Sequence, residues 1–531
     1  MVKRITAVLL ALMLVVSMAA CDNGSVENSN ANAESSSADS STPAGSGTSG
    51  TDESKPQTGD LREENLITLD VVTMASGKEQ ADTELVAAAM NEILEDKFNV
   101  NVNLTFLPFA TYAEQTTLML SSGDGADLLP VYMIPLPTCA NAGQIIPLDD
   151  LLDQYGTGIR EQLGDYIECG RVGDNIYGTT TGRDLASTQG FAMRKDLADK
   201  YEIDYENIKT FDQLKEALLR VKEGESDVWP VAVSAGENIR NWGWDPLGDD
   251  MVNLGVLPNM AQESTVVNLY ATDEYKDLVT TMYTWMQEGL IQSDAVNTTE
   301  TASSLLQAGT AFGYFTNLKP GYAEENTSAL GIEIVISEMV DALASTNNVS
   351  RATWTISSGC GNPGAAMKVL NELYTNPELS NLYMFGIEGT HYQVVEEGGA
   401  TNGQDIIDFA DGLDVTTSGY RRSGTWLMPN QFIGNIWNGN APDYWDATRA
   451  FNDTATKSKA FGFTYDSEKV NNEVTACTNV VAKYHKALLC GALDPEETLP
   501  KFNQELQDAG IDSIIAEKQA QLDEWLEKYG S

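Results

Sequence analysis

Between residues 66 and 133 the apolar positions change period twice. Residues 66–74 are a run of apolar and β-branched side chains that predicts a strand. Asp82 or Thr83 can then cap a helix whose apolar residues, Val86, Met90, Ile93 and Leu94, fall on one face. From Val100 the period drops to two. Val100, Val102, Leu104 and Phe106 alternate with Asn101, Asn103 and Thr105, which predicts a strand with one wet face. Strand, helix, strand at this spacing predicts a βαβ unit, and from it a mainly parallel sheet. Residues 111–122 read as the next helix and 127–133 as the next short strand.

The alternation continues. Thr210 and Gln213 have capping-box spacing, opening a helix that runs through Val221. Residues 231–234 read as a brief strand, 275–289 as a helix with Leu278, Met282, Trp285 and Met286 on one side, 311–315 as a buried strand, and 365–374 as a helix. The tail, 467–528, reads as nearly continuous helix broken near 491–494 and at Gly510. No repeat of fixed period is visible. The expected fold class is α/β.

The amino terminus follows other rules. Lys3 and Arg4 precede an apolar run over residues 5–20, the layout of a secretory signal, and the run is shorter than the ~20 residues a spanning helix needs. It ends Ser17-Met18-Ala19-Ala20-Cys21, which resembles a lipobox with Cys21 as the lipid-bearing first residue of the mature chain. From Asp22 to about Asp60 the chain is Ser, Asn, Gly, Ala, Thr and acid, which cannot bury enough surface to fold and reads as a flexible tether. Within it Gly45-Ser46-Gly47-Thr48-Ser49-Gly50 matches the dinucleotide fingerprint by chance, since no strand precedes it and no helix follows.

Composition narrows the function. Of 531 residues, 78 are acidic and 32 basic, a net charge of −46 that repels phosphate backbones, so no nucleic-acid partner is expected. Six cysteines are scattered without a Cys-x-x-Cys pair, and the histidines are His391 and His485, so neither a metal site nor any other cofactor is indicated. Five cysteines besides Cys21 are expected as small buried residues.

The distinctive chemistry is aromatic. A sugar presents an apolar C–H face that stacks on a ring and hydroxyls that need planar donors and acceptors. Trp242, Trp244 and Asp245 lie in a turn-prone stretch, Asn241-Trp242-Gly243-Trp244-Asp245-Pro246, and are the leading candidates. Tyr314, Phe315 and Asn317 end a strand. Trp354, Trp426 and Trp437 stand near loop residues, and Tyr132 follows the third strand. Glu388 and His391 share one short motif that could contact ligand, although a histidine so placed more often ties loops together. Trp285 and Trp525 have helical spacing and are expected to pack.

Several stretches resemble the family 1 extracellular solute-binding proteins of ABC importers, in their long, sugar-type lipoprotein subgroup. They include Gly123-Asp124-Gly125-Ala126-Asp127, Gly143-Gln144-Ile145-Ile146-Pro147-Leu148, Thr210-Phe211-Asp212-Gln213-Leu214, Gly386-Ile387-Glu388-Gly389-Thr390-His391-Tyr392 and Phe461-Gly462-Phe463-Thr464-Tyr465-Asp466. The resemblance implies a type II periplasmic-binding-protein-like fold, two α/β lobes hinged around a ligand, with a helical carboxyl region on one lobe. Chain crossings are implied near 180–184, 339–347 and 411–421. The implied organisation is signal peptide 1–20, lipidated tether 21–62, first lobe 63–182 and 344–412, and second lobe 183–343 and 413–531. Such a receptor would act as a monomer, held to the outer face of the cell membrane by its lipid anchor. It would capture a small solute, with an oligosaccharide favoured by the aromatic supply, and deliver it to permease subunits. A surface glycoside hydrolase remains open, because 78 acidic residues always contain pairs that a sequence scan cannot place. An adhesin remains open too.

Overall fold

The structure, a computed structural model, describes residues 61–75, 80–233, 239, 241–248, 252–420 and 427–530. The expected signal segment, Cys21, nearly all of the expected tether and Trp426 lie outside these residues. The body begins with the expected unit: β1 (Ile67–Ala75), α1 (Thr83–Phe98) and β2 (Val100–Pro108). Asn99 turns α1 directly into β2 by adopting a left-handed conformation (φ 58°), which asparagine tolerates better than most residues. α2 (Tyr112–Ser122) and β3 (Leu128–Tyr132) follow, then a short β4 (Thr179–Thr180).

The chain then builds a second sheet from β5 (Ser187–Arg194), α3 (Phe211–Gly224), β6 (Trp229–Val231), α4 (Asp273–Gln287), β7 (Ala311–Leu318), α5 (Tyr322–Leu330) and β8 (Ile334–Ala344). The Thr210 hydroxyl accepts from the Gln213 amide and Gln213 reaches back, the reciprocal cap read from the sequence. The first sheet resumes with β9 (Ala352–Ile356) and is covered by α6 (Pro363–Thr375) and α7 (Pro377–Phe385). A small sheet of β10 (Tyr392–Glu396), β11 (Ile406–Phe409) and β12 (Ile436–Trp437) leads to α8 (Tyr444–Thr454) and β13 (Thr456–Lys457). Three helices close the chain: α9 (Asn471–Leu489), α10 (Pro495–Ala509) and α11 (Ile511–Tyr529).

Strand order in the first sheet is β2-β1-β3-β9-β4, and in the second β13-β8-β5-β7-β6. The mainly parallel sheet expected from the first βαβ unit is corrected here. β1 is parallel to β2 and β3, but β9 is antiparallel to β3 and β4, and β5 is antiparallel to β7 and β8. The cause is the crossing chain: β9 enters its sheet from the other lobe and must run backwards. The register puts the ends of β2, β1, β3 and β4 and the start of β9 on one rim, through Ala75↔Pro108, Tyr132↔Ala352 and Thr353↔Thr180. The second sheet has a matching rim where β5 begins and β7 and β8 end, through Thr188↔Leu318 and Leu343↔Ser187.

Passages at 181–186 and 345–351 join the rims. A third strand of the hinge runs beside the first, where the Gly182 amide donates to Pro429 (2.7 Å) and the Gln431 amide to Gly182 (2.8 Å). Tyr420, Leu427 and Met428 pack into the apolar clusters of the first sheet.

Each lobe has its own core. Leu69, Val86, Met90, Trp354 and Leu370 mark the first. In the second, Phe191, Leu214, Val231 and Met282 share one cluster with Cys477, Phe502 and Ile514, so the carboxyl helices are built into that lobe. The end of α11 also touches the first lobe, with Lys528 paired to Asp174 and the Arg171 guanidinium 5.5 Å over the Tyr529 ring. All five described cysteines are buried thiols. Burial pushes Cys139 and Cys477 up to about 11 and Cys360 and Cys490 up to about 12, so these four stay protonated and unreactive at neutral pH. Among the described residues no helix is long and apolar enough to cross a membrane.

Candidate ligand-binding cavity at the hinge

Five separated segments meet beside the hinge around a cavity of about 420 Å³. Arg183 and Asp184 come from the first passage, and Gln431 from the strand paired with it. Lys319 and Glu325 stand on the turn after β7 and on α5. Phe385 ends α7, Trp437 ends β12, and Tyr444 and Trp445 open α8. The rims of both lobes therefore contribute.

Its floor is a closed polar triangle. Lys319 Nζ lies 2.8 Å from Glu325 Oε1 and donates to the Tyr444 hydroxyl at 2.8 Å, while that hydroxyl lies 2.8 Å from the same carboxylate oxygen. Burial pulls the Lys319 ammonium down, but the Tyr444 oxygen that accepts from it and the carboxylates of Glu325 and Asp184 outweigh burial and hold the group above the ordinary lysine value. Burial raises the Tyr444 phenol in turn, so Tyr444 is neutral and serves as a hydrogen-bonding group. Gly321 caps α5 at φ +73°, and a Cβ there would stand 2.4 Å from the Tyr444 ring, so the turn that delivers Lys319 requires glycine.

The walls are aromatic. Trp437 lies 6.0 Å from Phe385 at 33° and meets Phe409 edge to face at 4.8 Å. Trp445 packs against Tyr444 at 4.6 Å and donates its indole N–H to Gly434 (3.1 Å). Arg183 pairs with Asp184 at 3.1 Å, so the cavity carries two cations and two anions, each paired. In a chain of net charge −46 that balance is local.

Of the sequence candidates among the described residues, the structure brings Trp437 alone into this cavity. Trp242 stacks on Phe211 (4.8 Å, 21°) and meets Phe315 edge-on. Trp244 is buried and donates its N–H to Asn253 (3.0 Å). Asp245 is 1% exposed and accepts from the Leu247 amide (2.9 Å). Burial raises its carboxyl above the usual range, against the lowering pull of Ser458, the Leu247 amide and Lys518. Of the leading candidates, Trp244 belongs to the core of the second lobe, Trp242 packs against that core, and Asp245 is buried beside it. Phe315 and Trp354 are buried as well, and the Trp354 indole donates to Leu427 (2.8 Å). Tyr314 is buried and its hydroxyl reaches that of Tyr322 (2.8 Å), while Asn317 is exposed at the rim of β7. His391 ties loops together: its Nδ1 accepts from the Ile387 amide (2.9 Å) and its Nε2 faces Asp82 (3.3 Å). Glu388 is exposed beside it, and Tyr132 is half-buried at the end of β3.

Sequence reasoning missed Arg183, Lys319, Glu325, Tyr444 and Trp445. A signal existed for three of them. Lys319-Pro320-Gly321 ends a buried strand, and Asp443-Tyr444-Trp445-Asp446 concentrates rings and acids like the stretch around Trp242.

Known proteins share this sequence family and this fold. The family described as bacterial extracellular solute-binding protein matches residues 80–378. The chain belongs to this family. Residues 459–527 also match a domain of unknown function, DUF3502, which here covers the carboxyl helices. A carbohydrate ABC transporter substrate-binding protein of Streptococcus pneumoniae serotype 4 is 27% identical over 449 residues, 83% of this chain and 88% of that one. The crystal structure of the N-glycan transport solute binding protein NgtS from Streptococcus pneumoniae superposes with a TM-score of 0.77 at 24% identity, over 87% of this chain and 99% of that one. The same protein in complex with Man5GlcNAc gives a TM-score of 0.65 over the same shares. The fold is therefore the two-lobed type II binding-protein fold, and the chain is an extracellular solute-binding protein of the kind that serves ABC importers.

Proposed function

We propose that the protein is a lipid-anchored receptor that captures a neutral oligosaccharide in the hinge cavity and delivers it to the permease of an ABC importer. The observation that carries this reading is the cavity itself. It pairs the Trp437 and Tyr444 rings with two internally neutralised ion pairs, which suits a polar, uncharged ligand with apolar faces. An anionic sugar would need an excess of cations there. The glycan named with NgtS and the carbohydrate named with the pneumococcal relative support the same class. Closure of the lobes around the passages would complete the ligand's shell.

Titration of the body with Man1GlcNAc- and Man5GlcNAc-type glycans in a calorimeter is expected to give saturable micromolar or tighter binding, with a smaller scattering radius in the bound state. Cleavage products with turnover, or binding to none of a broad saccharide panel, would sink the receptor reading. The anchor rests on the Ser17–Cys21 motif and the tether, and the acting unit is a monomer. Mass spectrometry of the mature membrane-bound protein is expected to find Cys21 as the first residue, carrying lipid; an unmodified Cys21 removes the anchor.

A further inference from the structure

The first lobe's rim has two unlike ends. At β4 it leads into Arg183 and Asp184 and so into the polar, enclosed hinge cavity. Just past β3 and β2 it carries apolar side chains that face solvent. Phe109, just past β2, is 45% exposed, and Met133, just past β3, is 67% exposed. Tyr132 stands between them, its ring 6.1 Å from Phe109 at 49°. Met133 holds φ +60°, a left-handed conformation that costs any residue with a Cβ energy, and its exposed side chain gains little packing in return. Beside these residues a second concavity of about 650 Å³ opens between the ends of β1 and β2 and the first turn of α1, lined by Ala75, Thr83, Leu107 and Pro108.

Strand order converts this into a length. β2 and β4 are four strand spacings apart, so the rim spans ~19 Å, and Tyr132 on β3 lies two spacings, ~10 Å, from β4. That is longer than a single sugar ring, and the hinge cavity occupies only one end of it. We propose that Phe109, Tyr132 and Met133 form a second subsite, an open apolar shelf for the C–H faces of the units that extend from the hinge cavity. The receptor then selects for chain length: the cavity fixes one terminus of the ligand and the shelf rewards each further unit. This rests on the oligosaccharide reading above.

Isothermal titration with Man1GlcNAc and Man5GlcNAc tests it. Wild type is expected to bind the longer glycan at least ten-fold more tightly. Combining Phe109→Ala with Tyr132→Ala is expected to erase that preference while changing affinity for Man1GlcNAc by less than two-fold. Because these side chains are exposed or half-buried, the thermal midpoint should hold. Met133→Gly, which relieves the backbone and deletes the side chain, should also reduce the preference with the midpoint unchanged or raised. Equal affinity of wild type for both glycans, or a preference that survives the double substitution, overturns the shelf and leaves the hinge cavity intact. Failure of wild type to bind either glycan overturns the oligosaccharide reading and the shelf with it.

Discussion

As pH falls from 6.5, the protein is expected to lose about 2 kcal/mol of stability by pH 5 and about 3 kcal/mol by pH 4 through one residue, His485. The imidazole sits where α9 docks on α4. Its Nδ1 is 2.8 Å from the Tyr275 hydroxyl, the Tyr275 ring stacks on it at 5.7 Å, and Tyr270 meets it edge-on at 5.4 Å. Burial among these rings disfavours the charged form and lowers the pKa to about 4. A depressed value means that the folded state keeps the neutral ring while the unfolded chain takes up a proton near 6.5. The stability it contributes is therefore complete above 6.5 and drains away as pH falls towards 4. His485 as a residue is half-buried, which sets these figures as upper values.

His485→Asn separates this term from the many carboxylates that titrate lower down. Asparagine keeps an acceptor for Tyr275, which is fully buried and cannot lose its partner cheaply. Urea midpoints of wild type and variant should converge as pH drops from 7 to 5, and the variant should be the flatter of the two. A difference that stays constant over that interval sinks the assignment. The consequence is local to function: α9 to α11 share the core of the second lobe, so acid loosens the lobe that carries Lys319 and Glu325.

The same helices show what a sequence can reveal. Their breaks at residues 490–494 and at Gly510, the βαβ opening and the reciprocal cap at Thr210 are local facts, set by period, glycine and capping chemistry within a few residues. The direction of β9 was not local. It follows from a passage that returns from the other lobe, and no periodicity records where a chain has been. The cavity illustrates the limit more sharply. Trp242, Trp244 and Asp245 are neighbours in sequence and looked like a site, yet Trp242 packs on Phe211 and Phe315, Trp244 bonds Asn253, and Asp245 pairs with Leu257. Lys319 and Tyr444 are 125 residues apart and touch. Ring and charge content identify material for recognition, while the crossing topology decides which of it faces the cleft.

Lys319→Met is expected to weaken ligand binding roughly 100-fold, about 2.8 kcal/mol, while leaving the fold intact. Methionine preserves the length and most of the apolar contact of the stem, and removes the ammonium that pairs with Glu325 and donates to Tyr444. The cavity's balance of two cations and two anions then becomes a net negative charge. Closing the lobes would strip water from Glu325 with only the Tyr444 hydroxyl to compensate it, and that cost falls on the bound state alone. The loss should therefore depend on charge rather than shape. Adding Glu325→Gln to Lys319→Met restores neutrality and is expected to recover most of the affinity, although it removes a second native group. Calorimetry on the three proteins at pH 7, with thermal midpoints as a control for folding, decides the matter. A single variant within three-fold of wild type, or a double variant no better than the single, would show that the triangle beneath Trp437 shapes the cavity without setting its charge.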